Sequence, residues 1–328
     1  MDSLFLLIII IVIALVYDFF NGFNDAANAI ATTVSTRALS LRTAIIVAFI
    51  GNFAGAISHT AVAYTIGKGV INPDMVDLTV VLAALIGATA WTAIASFLGI
   101  PISVTHALVG ALLGAGIVFV GFGVIVWSGM IKIIIAMVLS PIAGFTVGYF
   151  LFVGVGWIFR HSHPSKINKR AKHIQILSAA WMSFSHGMND AQNAMGIITL
   201  ALLSYGAIAV FHVPLWVMAA AALAMGLGTA AGGWKVIKTM GQKVFKLKPI
   251  HALTAEVSAS GVISTMSLIG APISTTHVIA SSIMGVGASN HLTSVRWKTV
   301  KNIVTTWIIT IPGAGLIAAL AMVIINLF

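Results

Sequence analysis

Residues 22–29 read GFNDAANA and follow an almost unbroken apolar run from Leu4 to Val16. Asn and Asp are poor helix-interior residues and are costly in a lipid environment. Residues 187–194 read GMNDAQNA, so nearly the same octet recurs 165 residues later. Helix capping by an Asn-Asp pair explains one such octet more easily than two. The repeated octet therefore indicates a paired functional site.

The composition around the octets is that of a membrane protein. Of the 328 residues, 59% are hydrophobic and 7% are charged, whereas a soluble domain carries about 25% charged residues. About 20 consecutive apolar residues span a bilayer, and the candidate segments lie near 4–20, 43–66, 78–99, 103–120, 124–158, 175–186 continuing into 190–205, 214–233, 251–269, 273–289 and 302–326. We predict an all-α polytopic membrane protein, with no separate soluble domain and no cleaved signal peptide.

The net charge of +10 does not indicate nucleic-acid binding, because the basic residues cluster in short loops between apolar segments. The clusters are Arg37 with Arg42, and residues 160–172, 235–248 and 296–301. The positive-inside rule places all of them in the cytoplasm, which predicts a plasma-membrane protein with both termini outside. Each half then crosses the membrane an odd number of times, so the halves have opposite orientations. The chain has no cysteine, which excludes disulfides and thiolate sites.

A second motif is also repeated. Residues 101–106 read PISVTH and residues 272–277 read PISTTH, an offset of 171. Two matches in the same order and at similar offsets indicate duplication of a whole half. Because the halves have opposite orientations, we predict an inverted-topology repeat with broken helices. The first repeat is 1–159, a basic cytoplasmic linker is 160–173, and the second repeat is 174–328.

The octets suit a cation. As one helix, residues 4–36 would be about 50 Å long, against a hydrocarbon core of about 30 Å. We therefore predict that this helix is broken, tilted or bent at Asn21–Gly22. Carbonyl groups freed at a break, together with carboxylate and amide oxygens, make an oxygen-lined cation site. The predicted coupling-ion ligands are Asn24, Asp25, Asn28, Asn189, Asp190 and Asn193.

The PIS-x-TH motifs suit an anion. Proline begins a new helix, and hydroxyl and free N–H groups at a helix start can cradle a tetrahedral oxyanion. Ordinary N-capping by the serines is an equally good interpretation, and a histidine in packing is commoner than one in a site. The predicted anion ligands are Asp25, Asn28, Ser103, Thr105, His106, Asp190, Asn193, Ser274, Thr275 and Thr276, of which Thr105 and Thr276 also serve the cation. We predict that 78–120 and 250–289 are re-entrant hairpins whose tips meet.

The only glutamate is Glu256, and its counterpart at the offset of 171 is Leu85. This break in symmetry has two interpretations. Glu256 is either a further coupling-ion ligand or proton relay, or the structural partner of a lysine at the membrane edge. The sequence leaves both open.

The two octets, the two PIS-x-TH motifs and the segment GWKVIKTMG at 233–241 resemble those of the inorganic phosphate transporter family over nearly the whole chain. The resemblance implies a secondary transporter of inorganic phosphate with Na⁺ or H⁺ as coupling ion and no other cofactor. One branch of the family carries sulfate, which is the alternative substrate. Members are often dimers, and this chain lacks the long central loop of some relatives.

Two other classes of function stay as alternatives. An intramembrane hydrolase would use Ser103 with His106, or Ser274 with His277, but the chain contains neither G-x-S-x-G nor H-E-x-x-H. A passive channel is the other alternative, although two matched halves suit alternating access better. No P-loop motif is present, so an ion gradient is the predicted energy source.

Overall fold

The computed structural model describes residues 3–327, without the side chains of Ala26 and Ala27. The described residues form helices and no β-sheet, with one isolated bridge between Ile71 and Ile125. The helices are α1 (Ser3–Ser35), α2 (Leu41–Ala56), α3 (Ala61–Gly69), α4 (Leu78–Leu98), α5 (Val104–Val120), α6 (Trp127–Ile158), α7 (Pro164–Tyr205), α8 (Leu215–Ala231), α9 (Trp234–Lys238), α10 (Pro249–Leu268), α11 (Thr275–Asn290) and α12 (Trp297–Ile325). Short 3₁₀ turns lie at Pro73–Met75, Phe122–Val124 and Leu292–Ser294, and a π turn (Thr239–Lys243) extends α9. The all-α prediction is confirmed.

Several helices are suited to a bilayer. Within the described residues, α1, α4, α6 and α12 are long and apolar enough to cross a membrane. The count rises from 4 to 6 if two bent pairs each form one span, namely α2 with α3 (68°) and α8 with α9 and its π turn (65°). Large apolar side chains such as Phe150 and Leu316 stay exposed on the outer surface. The fold is therefore that of a membrane protein.

Both octets lie inside unbroken helices, so α1 is not broken at Asn21–Gly22, and of the three predicted alternatives a tilt or a bend remains. Gly22 packs directly on the backbone of Met225 in α8, and Gly187 packs on the backbone of Asn52 in α2. A Cβ atom at either glycine would overlap the neighbouring carbonyl oxygen. The glycines therefore permit close helix packing, and no broken helix supplies carbonyl ligands at Asn21–Gly22.

The helix that carries the second octet is longer than predicted. α7 begins at Pro164, inside the segment 160–173 that was predicted to be a linker. Proline is favourable at the first helical position because the N–H that it lacks would have no partner there. Only residues 159–163 separate α6 from α7.

Two helical hairpins, α4–α5 and α10–α11, have nearly the predicted bounds. Gly99 and Gly270, at the two turns, have φ angles of 74° and 66°, which glycine adopts without steric cost. Each hairpin packs against the last helix of the other half, α5 against α12 and α11 against α6. Because α4 alone is long enough to cross a membrane, the re-entrant path stays a prediction, as does the inverted repeat.

The basic segments lie together on one face of the molecule. Ser35 donates to the carbonyl of Gly241 at 2.7 Å, which joins the end of α1 to the π turn. Arg296 donates to the carbonyl of Gln242 at 3.2 Å. The Oδ1 atom of Asn168 accepts the Ile250 N–H at 3.4 Å, which brings the start of α7 to α10. The clustering agrees with the predicted topology, whose sidedness stays a prediction.

Candidate functional site

The two octets meet where α1 packs on α7. Asn21 donates through Nδ2 to the backbone carbonyl of Asp190 at 3.1 Å. The Nε2 atom of His186 lies 3.9 Å from Oδ2 of Asp25. Asp25 is 2% exposed and Asp190 is 1% exposed. Two carboxylates, one from each half of the chain, therefore share one buried region.

The asparagine that precedes each aspartate binds one hairpin tip. Asn24 donates through Nδ2 to Ser96 Oγ at 2.9 Å and to the Ile100 carbonyl at 3.4 Å. In the other half, Asn189 donates to Ser267 Oγ at 2.8 Å and to the Ala271 carbonyl at 3.5 Å. The sequence motifs therefore correspond to a repeated three-dimensional contact, in which each octet holds the hairpin of its own half.

The last asparagine of each octet reaches the hairpin of the other half. Asn28 donates to Thr276 Oγ1 at 2.9 Å, and Asn193 donates to Thr105 Oγ1 at 2.9 Å. The Thr276 hydroxyl in turn donates to Asp25 Oδ1 at 2.9 Å.

The neighbouring Thr275 hydroxyl accepts from Asn28 at 3.2 Å and donates to Asp190 Oδ2. A network of hydroxyl, amide and carboxylate groups thus joins both octets to the tip of α10–α11.

Three amide oxygens at this site fit a cation. The Oδ1 atoms of Asn24, Asn189 and Asn193 are buried and have no hydrogen-bond partner among the described residues. Buried polar atoms normally have a partner. Carboxylate and amide oxygens are the ligands that hard cations take in proteins. The chemistry of these oxygens is therefore that of hard-cation ligands, and the binding of Na⁺ by them stays a prediction.

His186 belongs to this site and was missed in the sequence prediction. Its Nε2 atom lies 3.1 Å from Asp190 Oδ2, one helical turn away, and its Nδ1 atom lies 3.0 Å from Asn52 Oδ1. Asn52 uses its Nδ2 to donate to Thr229 at 3.0 Å. Its Oδ1 therefore accepts, so Nδ1 of His186 carries a proton.

A second proton, on Nε2 of His186, would lie beside both carboxylates. The ligand atoms of Asp25, His186 and Asp190 all lie within 4.8 Å of one another. A proton on the imidazole and a bound cation would therefore neutralise the same two groups. One signal in the sequence could have identified His186. It lies four residues before Asp190, on the same helix face, whereas the residue four before Asp25 is Asn21.

The serines of the PIS-x-TH motifs cap helices in this structure. Ser103 Oγ accepts the His106 N–H at 3.2 Å, and Ser274 Oγ accepts the His277 N–H at 3.2 Å. The two imidazole rings are buried, with centroids 4.8 Å apart in an edge-to-face contact. Their ring nitrogens have no hydrogen-bond partner among the described residues. Anion binding by Ser103, Ser274 and His106 stays a prediction.

Glu256 lies in a separate polar cluster between α1, α7 and α10. Its carboxylate accepts from Thr33 and from Gln175, each at 2.9 Å, and also from Thr32 and Ser178. No ion pair with a lysine forms within residues 3–327, so the structure gives no support to the lysine-partner interpretation. Coupling-ion binding by Glu256 stays a prediction.

Comparison with known proteins identifies relatives over the whole chain. A sequence profile of the phosphate transporter family matches residues 21–318. A probable low-affinity inorganic phosphate transporter of Bacillus subtilis (strain 168) is 47% identical, over 100% of this chain and 99% of its own. A protein of the same description from Rhizobium meliloti (strain 1021) is 43% identical, over 96% and 95%. A solved structure described as the sodium-dependent phosphate transporter matches with a TM-score of 0.93 and 26% identity, over 98% of this chain and 99% of that one.

Proposed function

The chain belongs to the phosphate transporter family, and on this premise we propose that it imports inorganic phosphate together with a coupling cation, Na⁺ or H⁺, by alternating access. The observation that supports this most is the meeting of Asp25 and Asp190, from the two octets, at hydroxyl groups of the α10–α11 tip. The site offers oxygen ligands for a cation and hydroxyl donors for an anion within one buried network.

Charge provides the coupling. Two unit charges of the same sign 4 Å apart repel by about 4 kcal/mol at an effective dielectric constant of about 20. That energy corresponds to roughly a thousandfold loss of phosphate affinity for each ionised aspartate. A cation or proton bound at Asp25 and Asp190 removes the repulsion. By linkage, phosphate strengthens cation binding by the same factor.

The arrangement of the hairpins supports alternating access. Each octet holds the tip of its own hairpin through one asparagine and contacts the opposite hairpin through another. Release of one set of contacts, while the other is kept, would open the site toward one side only. The sodium dependence of the similar solved structure supports Na⁺ as the coupling ion, and His186 supports a contribution from protons.

The alternative functions have less support. A hydrolase is set aside because the family consists of phosphate transporters and because Ser103 and Ser274 accept backbone N–H groups of their own helices. Sulfate stays the alternative substrate. Phosphate keeps a proton near neutral pH and can donate it to a carboxylate, so Asp25 and Asp190 favour phosphate.

Uptake by proteoliposomes tests the proposal. Purified protein is reconstituted, and entry of radiolabelled phosphate or sulfate is followed under an imposed Na⁺ gradient, an imposed H⁺ gradient, or neither. We expect phosphate uptake above its equilibrium level under one gradient and only slow equilibration without one. Uptake of sulfate in preference to phosphate, or equal rates with and without both gradients, would reject the assignment.

A further inference from the structure

A cavity of about 610 Å³ lies on the basic face, where the end of α6 and the start of α7 meet α10. Its lining combines cationic side chains, including Lys166 and Arg170, with apolar side chains, including Phe159 and Leu253. The cavity is separate from the transport site, because none of its lining residues belongs to the octets or to the hairpin tips.

No acidic residue of the described chain neutralises these cations. Asp18, Asp25, Asp190 and Glu256 are buried in the helix bundle. Asp74, with the neighbouring Asp77, lies beside Leu203. Leu203 is about 55 Å along α7 from Lys166, at a rise of about 1.5 Å per residue. The described residues therefore supply no counter-anion for Lys166 and Arg170, which leaves these cations available to an external anion.

The apolar part of the cavity lining continues into a surface that suits lipid. Ile174 lines the cavity, and Leu177 and Trp181 follow it on the same face of α7, with Leu177 72% exposed. The Arg160 guanidinium lies 4.8 Å from the ring centroid of Trp157, which is exposed near the end of α6. Tryptophan and arginine at a helix end are typical of the membrane–water interface. The cavity therefore lies at the depth of lipid headgroups.

We propose that this cavity binds an anionic phospholipid, with the phosphate at Lys166 and Arg170 and an acyl chain along the 174–181 face of α7. Basic pockets between membrane helices recognise lipid headgroups by charge, and a neighbouring apolar groove gives selectivity for a lipid over a soluble anion. The inference goes beyond the proposed function and does not depend on it, since it concerns neither phosphate transport nor the octets.

Native mass spectrometry of the full-length protein tests the site. The protein, delipidated in detergent, is titrated with dioleoyl phosphatidylglycerol, with dioleoyl phosphatidylcholine, and with phosphatidylglycerol in the presence of inorganic phosphate. We expect a first phosphatidylglycerol to bind more tightly than phosphatidylcholine. The double variant Lys166→Gln/Arg170→Gln should weaken its binding roughly 30-fold, because two charge contacts are lost.

The matched control is Lys298→Gln/Lys301→Gln, which removes two exposed lysines from the start of α12 on the same face. It should bind the first phosphatidylglycerol as the wild type does. Equal weakening in both double variants, or no preference over phosphatidylcholine, would overturn the proposal. Displacement of the lipid by millimolar inorganic phosphate would assign the cavity to a soluble anion instead. All four residues are exposed, so the variants should fold, and equal unfolding temperatures check this.

Discussion

At the scale of single residues, the site rests on two buried carboxylates that need a positive charge between them. Asp25 and Asp190 accept hydrogen bonds from Thr276 and Thr275, and His186 lies against both. Hydroxyl groups alone do not cancel two negative charges in a low-dielectric interior. We therefore expect a cation or proton at this point in the stable state.

Asp25→Asn and Asp190→Asn should each reduce gradient-driven phosphate uptake to the background of empty liposomes. An amide keeps the shape of the side chain but removes the charge that holds the cation. Asp74→Asn is the control, because Asp74 is exposed in the segment before α4. Wild-type uptake by either octet variant, measured in proteoliposomes with equal protein content, would remove these aspartates from the mechanism.

His186→Asn should lower stability in the absence of the coupling cation. Loss of one partner from a buried charge network costs about 3–5 kcal/mol. Thermal unfolding in detergent should show a larger stabilisation by the coupling cation in the variant than in the wild type, because the cation then supplies the only positive charge.

His212→Asn is the matched control for this experiment. His212 is exposed after α7, so both unfolding temperature and cation response should equal those of the wild type. An identical cation response in His186→Asn and wild type would contradict the role assigned to His186.

At the scale of helices, small residues set the distances between elements. Gly22→Ala should lower the free energy of unfolding by about 1–3 kcal/mol, the usual cost of overpacking, because its Cβ meets the Met225 carbonyl in α8. Gly261→Ala, also within a helix, meets nothing within 4 Å and should stabilise by up to about 1 kcal/mol. Thermal unfolding compares the two. Equal shifts in unfolding temperature for the two variants would contradict a requirement for glycine at the α1–α8 contact.

The elements also show what the sequence could predict. The positions of the two hairpin turns followed from Pro101 and Pro272, because proline interrupts a helix. Both prolines lie in the turns, and α5 and α11 begin three residues later, at Val104 and Thr275. A break at Asn21–Gly22 was one of three predicted alternatives and does not occur; Gly22 instead packs on Met225, more than 200 residues away. A local pattern of a polar residue and glycine is the same for a broken helix and for a close helix contact. Only the tertiary fold decides between them.

The candidate site was predictable only where its residues belong to a repeated motif. Repetition made Asn24, Asn189 and their neighbours stand out, and the structure brings both octets together with the tip of α10–α11. His186 was not predicted as a site residue because it has no histidine counterpart in the first half. Ser103 and Ser274 show the opposite case, since their visible role in the structure is to cap α5 and α11.

At the scale of the whole molecule, the halves are interlocked. The hairpin of each half packs on the long final helix of the other, and the octets cross-link both hairpins. Movement of one hairpin must therefore change its contacts with both halves. This coupling suits a transporter better than a permanently open channel.

Labelling of a single cysteine tests whether the hairpin tip is a gate. The chain has no native cysteine, so Ser103→Cys introduces the only thiol. Ser103 is buried, and we expect slow labelling by a water-soluble maleimide, at a rate that phosphate and the coupling cation change together. Ser165→Cys, exposed at the start of α7, should react quickly under all conditions. Rapid and unchanging labelling of Ser103→Cys would contradict a gated tip.

The most direct test of the central claim is the effect of the cation on phosphate affinity. Equilibrium binding of phosphate to the purified wild type is measured with saturating Na⁺ and without Na⁺ at fixed pH, and then across pH without Na⁺. We predict at least roughly a tenfold gain in affinity from one of the two cations, within the usual range of coupling between sites, and no gain in Asp25→Asn. Equal phosphate affinity in the wild type under all these conditions would contradict the account.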